Sequence, residues 1–311
     1  MTEKLQPSPF ADPKDALQLA QKAPRVLAKS ASIATTFPMS VVGTPESPET
    51  WVELASLFYA CLRTGDDKSA YLALERLTKR FGEDNDRVMA MRGMYQEAVA
   101  QGDEELRSIL QDYNKILSTN PVNVPILKRR IALVRAMGRD QEATNALVDL
   151  LEAFPTDVEA WCELADLYQS QGLGAQAVFC LEEALLTTPN AWNLHAWIGE
   201  LDYMNAVVAG ETSEAGRTAL AQSVQRFSRS IELCDDYLRG YYGLKLAVAK
   251  LLQTDGQSKT AAFSQEKLKK LDQLATTKLQ AIIRARKSKV MRDVDEAELI
   301  AAQALLDQTG A

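Results

Sequence analysis

Residues 159–189 read EAWCELADLYQSQGLGAQAVFCLEEALLTTP, and the fold turns on this stretch. Trp161, Leu164 and Tyr168 recur at three- and four-residue spacing, and after a Gln-Gly-Leu-Gly break Ala177, Leu181 and Ala184 do the same. That spacing predicts two amphipathic helices joined by a tight turn, with Pro189 ending the second. Working outward, Pro121, Pro155 and Pro189 stand 34 residues apart, and so do Gly138 and Gly172. Punctuation that returns at a fixed interval marks a repeat array rather than a single closed core.

A helix–turn–helix unit of that length, with Trp, Leu, Tyr and Ala at these offsets and a closing Pro, is the tetratricopeptide pattern. Ala165 stands where the pattern has Gly and Leu181 where it has Phe, which keeps the small-against-large packing of the two helices. The preceding unit, VPILKRRIALVRAMGRDQEATNALVDLLEAFP, holds Leu127, Ile131, Val134, Gly138, Ala143, Leu147 and Pro155 in equivalent places. Looser units come before it. One carries Trp51, Leu54, Ala55, Phe58, Ala70 and Leu74; the next carries Gly93, Tyr113 and Pro121. After Pro189 the register continues through Trp192, His195, Trp197 and Gly199. It then meets an insertion near 204–220, AVVAGETSEAGRT, expected as a surface loop because repeat arrays place insertions in loops.

The predicted architecture is all-α: a tetratricopeptide-repeat (TPR) α-solenoid, a right-handed superhelix of antiparallel helix pairs. Seven of the eleven prolines fall in residues 1–48, read as a Pro-rich N-terminal tail with short helices. Residues 49–256 hold the array of about five repeats, and 257–311 hold C-terminal capping helices with a basic segment. In a solenoid each unit touches only its neighbours, so 311 residues need not split for want of core size. Trp161, Leu164, Tyr168, Ala177, Leu181, Ala184 and Pro189 are the expected packing residues. Truncating Trp161 or Tyr168 is expected to cost about 3–5 kcal/mol if the ring is fully buried.

Composition narrows the chemistry. Thirty-five Lys and Arg against 42 Asp and Glu give a net charge of −7, which disfavours nucleic acid as a partner. A single histidine leaves no His pair for zinc, and no phosphate-cradling glycine motif is present, so no catalytic residue, cofactor or metal is expected. Cys61, Cys162, Cys180 and Cys234 are widely spaced, read as packed thiols in a reducing compartment. The start MTEKLQPSPF lacks the apolar core of a secretory signal, and no stretch reaches the roughly 18 apolar residues of a membrane span. His195 takes the place of Trp161 one repeat on, and is read as a packing residue. The acid pairs Glu104–Glu105, Glu182–Glu183 and Asp235–Asp236 diverge by about 100° on a helix, and are read as solvated surface.

Two clusters remain as partner-binding candidates. Lys128, then Glu159, Cys162, Glu163 and Asp166, fall on the inner helices of the clearest repeats, where a groove is expected. Residues 257–292 hold ten Lys and Arg against two acids, a local +8, so the other 275 residues carry −15. Arg284, Arg286, Lys287, Lys289 and Arg292 are its basic surface candidates, suited to lipid headgroups or an acidic segment.

The run from LKRRIALVRAMGR to FCLEEALLTTPN, continued by YLRGYYGL and GLKLAVA, resembles the family of subunit 2 of the endoplasmic reticulum membrane protein complex, over roughly residues 49–290. The resemblance implies a non-enzymatic scaffold, peripheral on the cytoplasmic side of that membrane. It implies support of energy-independent insertion of transmembrane segments, including tail-anchored ones. The implied partners are the cytosolic parts of subunits 3 and 5, with a soluble subunit 8 or 9 in many organisms. The alternative from another class is a soluble TPR co-chaperone adaptor for chaperone C-terminal peptides, but carboxylates at Glu159, Glu163 and Asp166 would repel such an acidic peptide. The helical-repeat subunit of a prenyltransferase is a third reading, against which the Trp161 to Pro189 arrangement argues.

Overall fold

The computed structural model describes residues 13–34, 48–254, 263–287 and 293–308, and all regular structure among them is α-helical. Two units divide the chain, Met1–Ala143 and Thr144–Ala311. The first contains α1 (Pro13–Gln21), α2 (Ala23–Ala34), α3 (Pro48–Thr64), α4 (Asp67–Phe81), α5 (Asp86–Val99), α6 (Asp103–Thr119) and α7 (Val124–Ala136). The boundary falls inside α8 (Asp140–Ala153). The second contains α9 (Val158–Ser170), α10 (Gly174–Thr187), α11 (Trp192–Ala209), α12 (Glu214–Leu233), α13 (Leu238–Thr254), α14 (Gln265–Lys287) and α15 (Asp293–Gln308).

The punctuation read in the sequence has a geometric cause. Asn123 and Asp157, each two residues past a repeat proline, cap α7 and α9. Their side-chain oxygens accept the amides of Ile126 and Ala160, both at 3.1 Å. Such caps satisfy amides that the first helical turn leaves open, typically worth about 1 kcal/mol. At the other end of the first helix in a pair, Gly65, Gly138 and Gly172 take φ of 75°, 72° and 75°. The following residue then donates back five positions: Asp66 to Cys61 at 2.9 Å, Arg139 to Val134 at 3.2 Å and Leu173 to Tyr168 at 2.9 Å. This is the Schellman closure, and only glycine enters it without strain.

Within the first unit, α3 sends Leu54, Leu57, Phe58 and Cys61 into a core completed by Ala70, Ala73, Leu74 and Leu77 of α4 and by Val88 and Met91 of α5. Helices α1 and α2 pack onto α3 through Ala20, Ala23, Val26 and Leu27. Further along, Gly93 of α5 lies under Tyr113 of α6, and a Cβ there would meet Tyr113 Oη at 2.0 Å. Tyr113 Oη donates to Glu97 Oε1 at 2.5 Å, and Arg129 of α7 donates to the same carboxylate from Nε at 2.7 Å and again from its terminal nitrogen. Three helices are thereby joined by one buried polar knot.

The second unit pairs α9 with α10, α11 with α12 and α13 with α14. Phe227 of α12 fills the space left by Gly199 of α11 and Gly243 of α13; a Cβ on these glycines would meet its ring at 3.1 and 2.1 Å. Between α13 and α14, Lys245 is only 2% exposed and its Nζ donates to Asp272 Oδ1 at 3.0 Å.

Two expectations are corrected here. The insertion near 204–220 is not a loop: α11 runs to Ala209 and α12 begins at Glu214, leaving a four-residue turn. Ala206 is buried four residues after Asp202 on α11 and Leu220 four after Gly216 on α12, Gly210 closes α11 at φ 85°, and Ser213 caps α12 through the Gly216 amide at 2.9 Å. The extra residues therefore lengthen both helices. Second, Trp161 and Tyr168 are half-buried rather than sealed, while Leu164, Ala177, Leu181 and Ala184 are buried and Pro189 is exposed.

Candidate functional site

Helix α9 buries Ala160, Leu164, Ala165 and Leu167. Displaced by one residue, about 100° around the axis, runs the stripe Glu159, Cys162, Glu163 and Asp166. Glu159 is exposed and the other three are half-buried, so three carboxylates and a thiol share one side of the helix. Burial, followed by the nearby Glu159 charge, pushes the Cys162 thiol up, which makes it a neutral packing group rather than a nucleophile. Lys128, the fifth groove candidate, lies half-buried on α7 in the first unit.

Next to this stripe Trp161 meets Phe179 of α10 edge-to-face at 6.2 Å, and Phe179 is 56% exposed. The Trp161 indole donates to the Pro155 carbonyl at 2.8 Å. One repeat later His195 Nε2 contacts the Pro189 carbonyl at 3.1 Å, the same bond to the same kind of proline. A carbonyl only accepts, so Nε2 carries the proton and Nδ1 is left as an acceptor. Burial, partly opposed by that bond and aided by the Arg226 and Arg229 charges, holds the imidazole below its ordinary pKa and neutral at pH 7.

The basic segment divides. Arg284 and Lys287 are exposed at the end of α14. Arg286 is engaged, its guanidinium lying 3.8 Å from Glu298 of α15 and donating to the Asp236 carbonyl at 3.3 Å. Lys289 and Arg292 lie outside the described residues. The acid pairs are also less idle than their solvated reading. Asp235 accepts Lys278 and the Tyr241 hydroxyl at 2.7 and 3.0 Å, and the Lys278 bond holds its carboxyl below the usual range. Glu182 of α10 is bridged to Arg226 of α12.

Sequence reasoning missed the Glu97–Tyr113–Arg129 knot and the Lys245–Asp272 pair. Glu97 and Arg129 are 32 residues apart, close to one repeat, and that spacing was the available signal. Among the described residues, no cluster of His, Cys, Asp and Glu suits a metal ion, and no helix is long and apolar enough to cross a membrane.

Residues 88–209 match the family described as the EMC2 TPR-like repeat domain. The chain is 34% identical over 205 residues to TPR repeat protein oca3 of Schizosaccharomyces pombe, covering 66% of this chain and 68% of that protein. It is 31% identical to ER membrane protein complex subunit 2-A of Xenopus laevis, covering 72% and 74%. Against ER membrane protein complex subunit 2 of Saccharomyces cerevisiae the identity is 25%, covering 71% and 77%.

Proposed function

The chain belongs to the ER membrane protein complex subunit 2 family, and from that premise we propose that it is a non-enzymatic scaffold subunit working on the cytoplasmic face of the endoplasmic reticulum membrane. It holds cytosolic parts of the membrane-embedded subunits, chiefly subunits 3 and 5, with a soluble subunit 8 or 9 alongside. Through them it supports insertion of transmembrane segments, tail-anchored ones included, without nucleotide hydrolysis.

The observation that carries this reading is the name shared by the Xenopus and Saccharomyces relatives, matched over about three quarters of the Xenopus protein's length. The α9 face supports it, because a carboxylate stripe beside the exposed Phe179 offers charge and an aromatic edge to a basic, apolar segment. Among the described residues of the basic segment's candidates, Arg284 and Lys287 are exposed and suited to lipid headgroups or an acidic partner.

Affinity purification of the chain from membranes in mild detergent tests the reading. Membrane-embedded subunits are expected to co-purify, and the triple variant E159K/E163K/D166K is expected to lose them while its circular-dichroism melt stays cooperative. Undiminished assembly of a folded triple variant would remove α9 as the docking face, and absence of those subunits from the unaltered chain's purification would remove the scaffold role.

A further inference from the structure

Helices α10, α11 and α12 line a half-open cavity of about 410 Å³ within the second unit, to which none of the α9 stripe residues contributes. Val178 and Glu182 line it from α10, His195 and Asp202 from α11, and Gln222, Gln225, Arg226 and Arg229 from α12. Such a lining is unusual for a repeat array, whose helix interfaces ordinarily close on apolar side chains.

Two of its groups are largely buried and lack a protein partner, His195 at a sealed ring nitrogen and Asp202 at the pocket wall. His195 is 8% exposed, and its Nδ1, the acceptor side of the ring, has no partner. Asp202 is 7% exposed, and among the described residues no hydrogen bond or salt bridge satisfies its carboxylate. Burial raises its pKa to about 6, with Arg226 opposing and Glu182 reinforcing. Both guanidiniums on the wall are already committed, Arg226 to Glu182 and Arg229 to Glu232 at 3.2 Å. The lining itself balances two carboxylates with two guanidiniums, but Arg229 also pairs with Glu232 outside it, so the buried Asp202 is the carboxylate left without an ion-pair partner. Both groups accept hydrogen bonds, and a bound anion would supply neither with a donor while adding negative charge beside Asp202.

We propose that this cavity is a binding site for the cationic end of a basic side chain, an arginine guanidinium or a lysine ammonium presented by a partner segment. Asp202 is its counter-charge, and His195 Nδ1 accepts a hydrogen bond from the same segment. The volume accommodates one long side chain, and the Gln222 and Gln225 amides offer acceptors at the wall. The inference rests on the scaffold reading only for the origin of the cation.

The chain supplies its own probe, since His195 is its one histidine. The full chain, with histidine isotope-labelled, is titrated near pH 7.5 with N-acetyl-arginine amide, N-acetyl-lysine amide and N-acetyl-aspartate amide, following the imidazole resonance. A saturable shift with the arginine or lysine compound, absent with aspartate, is the expected result; which cation binds tells arginine from lysine as the source. In Asp202→Asn the affinity for that cation is expected to fall at least tenfold. No saturable shift with either cation, an equal or larger shift with aspartate, or undiminished affinity in a folded Asp202→Asn chain would overturn the site. The three-compound comparison decides on the unaltered chain should the variant not fold, and because no partner protein is used, a failure here leaves the scaffold reading untouched.

Discussion

Trp161 and His195 stand 34 residues apart and each bonds through a ring nitrogen to a proline carbonyl six residues back. The substitution keeps the bond and changes what is left over: indole has one polar atom, imidazole has two, and the second is the orphan Nδ1. Two turns further along α11 the Asp202 carboxyl is held near 6 by burial, above an unfolded value of about 3.9. Its protonated form is therefore favoured in the folded chain. The stability linked to that proton is complete below about pH 3.9 and lost as pH rises through about 6. Asp202→Asn is expected to raise the melting temperature near pH 7.5 and to raise it by less near pH 5, where only part of that stability has been lost; lowering by the same amount at both would show that the carboxylate is satisfied after all. A steric case is Gly93, where an added Cβ would lie 2.0 Å from Tyr113 Oη. Gly93→Ala is expected to destabilise by about 1–3 kcal/mol in urea unfolding, since the ring cannot move without breaking its Glu97 bond. Gly93 and Tyr113 were legible from their register in the repeat. Their partner Glu97 was not, because a buried acid looks like a surface acid until the facing Arg129 is placed.

At the level of elements, turns and caps carry the most sequence information because each depends on a single residue's chemistry: glycine for positive φ, Asn or Asp for the cap. Burial around a helix axis carries less. Trp161 fits the pattern of a core residue, yet Phe179 covers only one side of it, and the ring stays half-buried. Trp161→Ala is accordingly expected to cost less than Leu164→Ala, which empties a sealed position at about 2–5 kcal/mol; the order of the two urea midpoints checks this. The insertion near 204–220 was misread because glycine and polar residues suggest a loop locally, whereas Ala206 and Leu220 are claimed by the core of lengthened helices. Between α13 and α14, removing Asp272, itself about a third exposed, leaves the sealed Lys245 ammonium unpaired. Asp272→Ala is expected to destabilise by about 1–3 kcal/mol in the same assay, while a Lys245→Met, Asp272→Leu double variant recovers most of the loss.

For the whole molecule, the 34-residue period made fold class and helix pairing legible, since one unit's spacing repeats in the next. The α10–α12 cavity was not, because it depends on residues from three helices whose sequence spacing follows no pattern. Each unit has its own buried apolar cluster, and stability in a repeat array is close to a sum of local terms. Leu57→Ala in the first unit is therefore expected to speed amide hydrogen exchange in α3 and α4 far more than in α11–α14; uniform acceleration along the chain would show all-or-none unfolding instead. The cysteines make such behaviour visible without any added label. Cys61 in the first unit and Cys180 in the second are sealed, and burial raises their thiol pKa values to about 11 and 12, so neither reacts while its helices are closed. Cys162 and Cys234 are half-buried and accessible first. A timed pulse of alkylating reagent, read by mass at each cysteine, turns the chain into a two-channel clock in which Cys61 reports the opening of one unit and Cys180 that of the other.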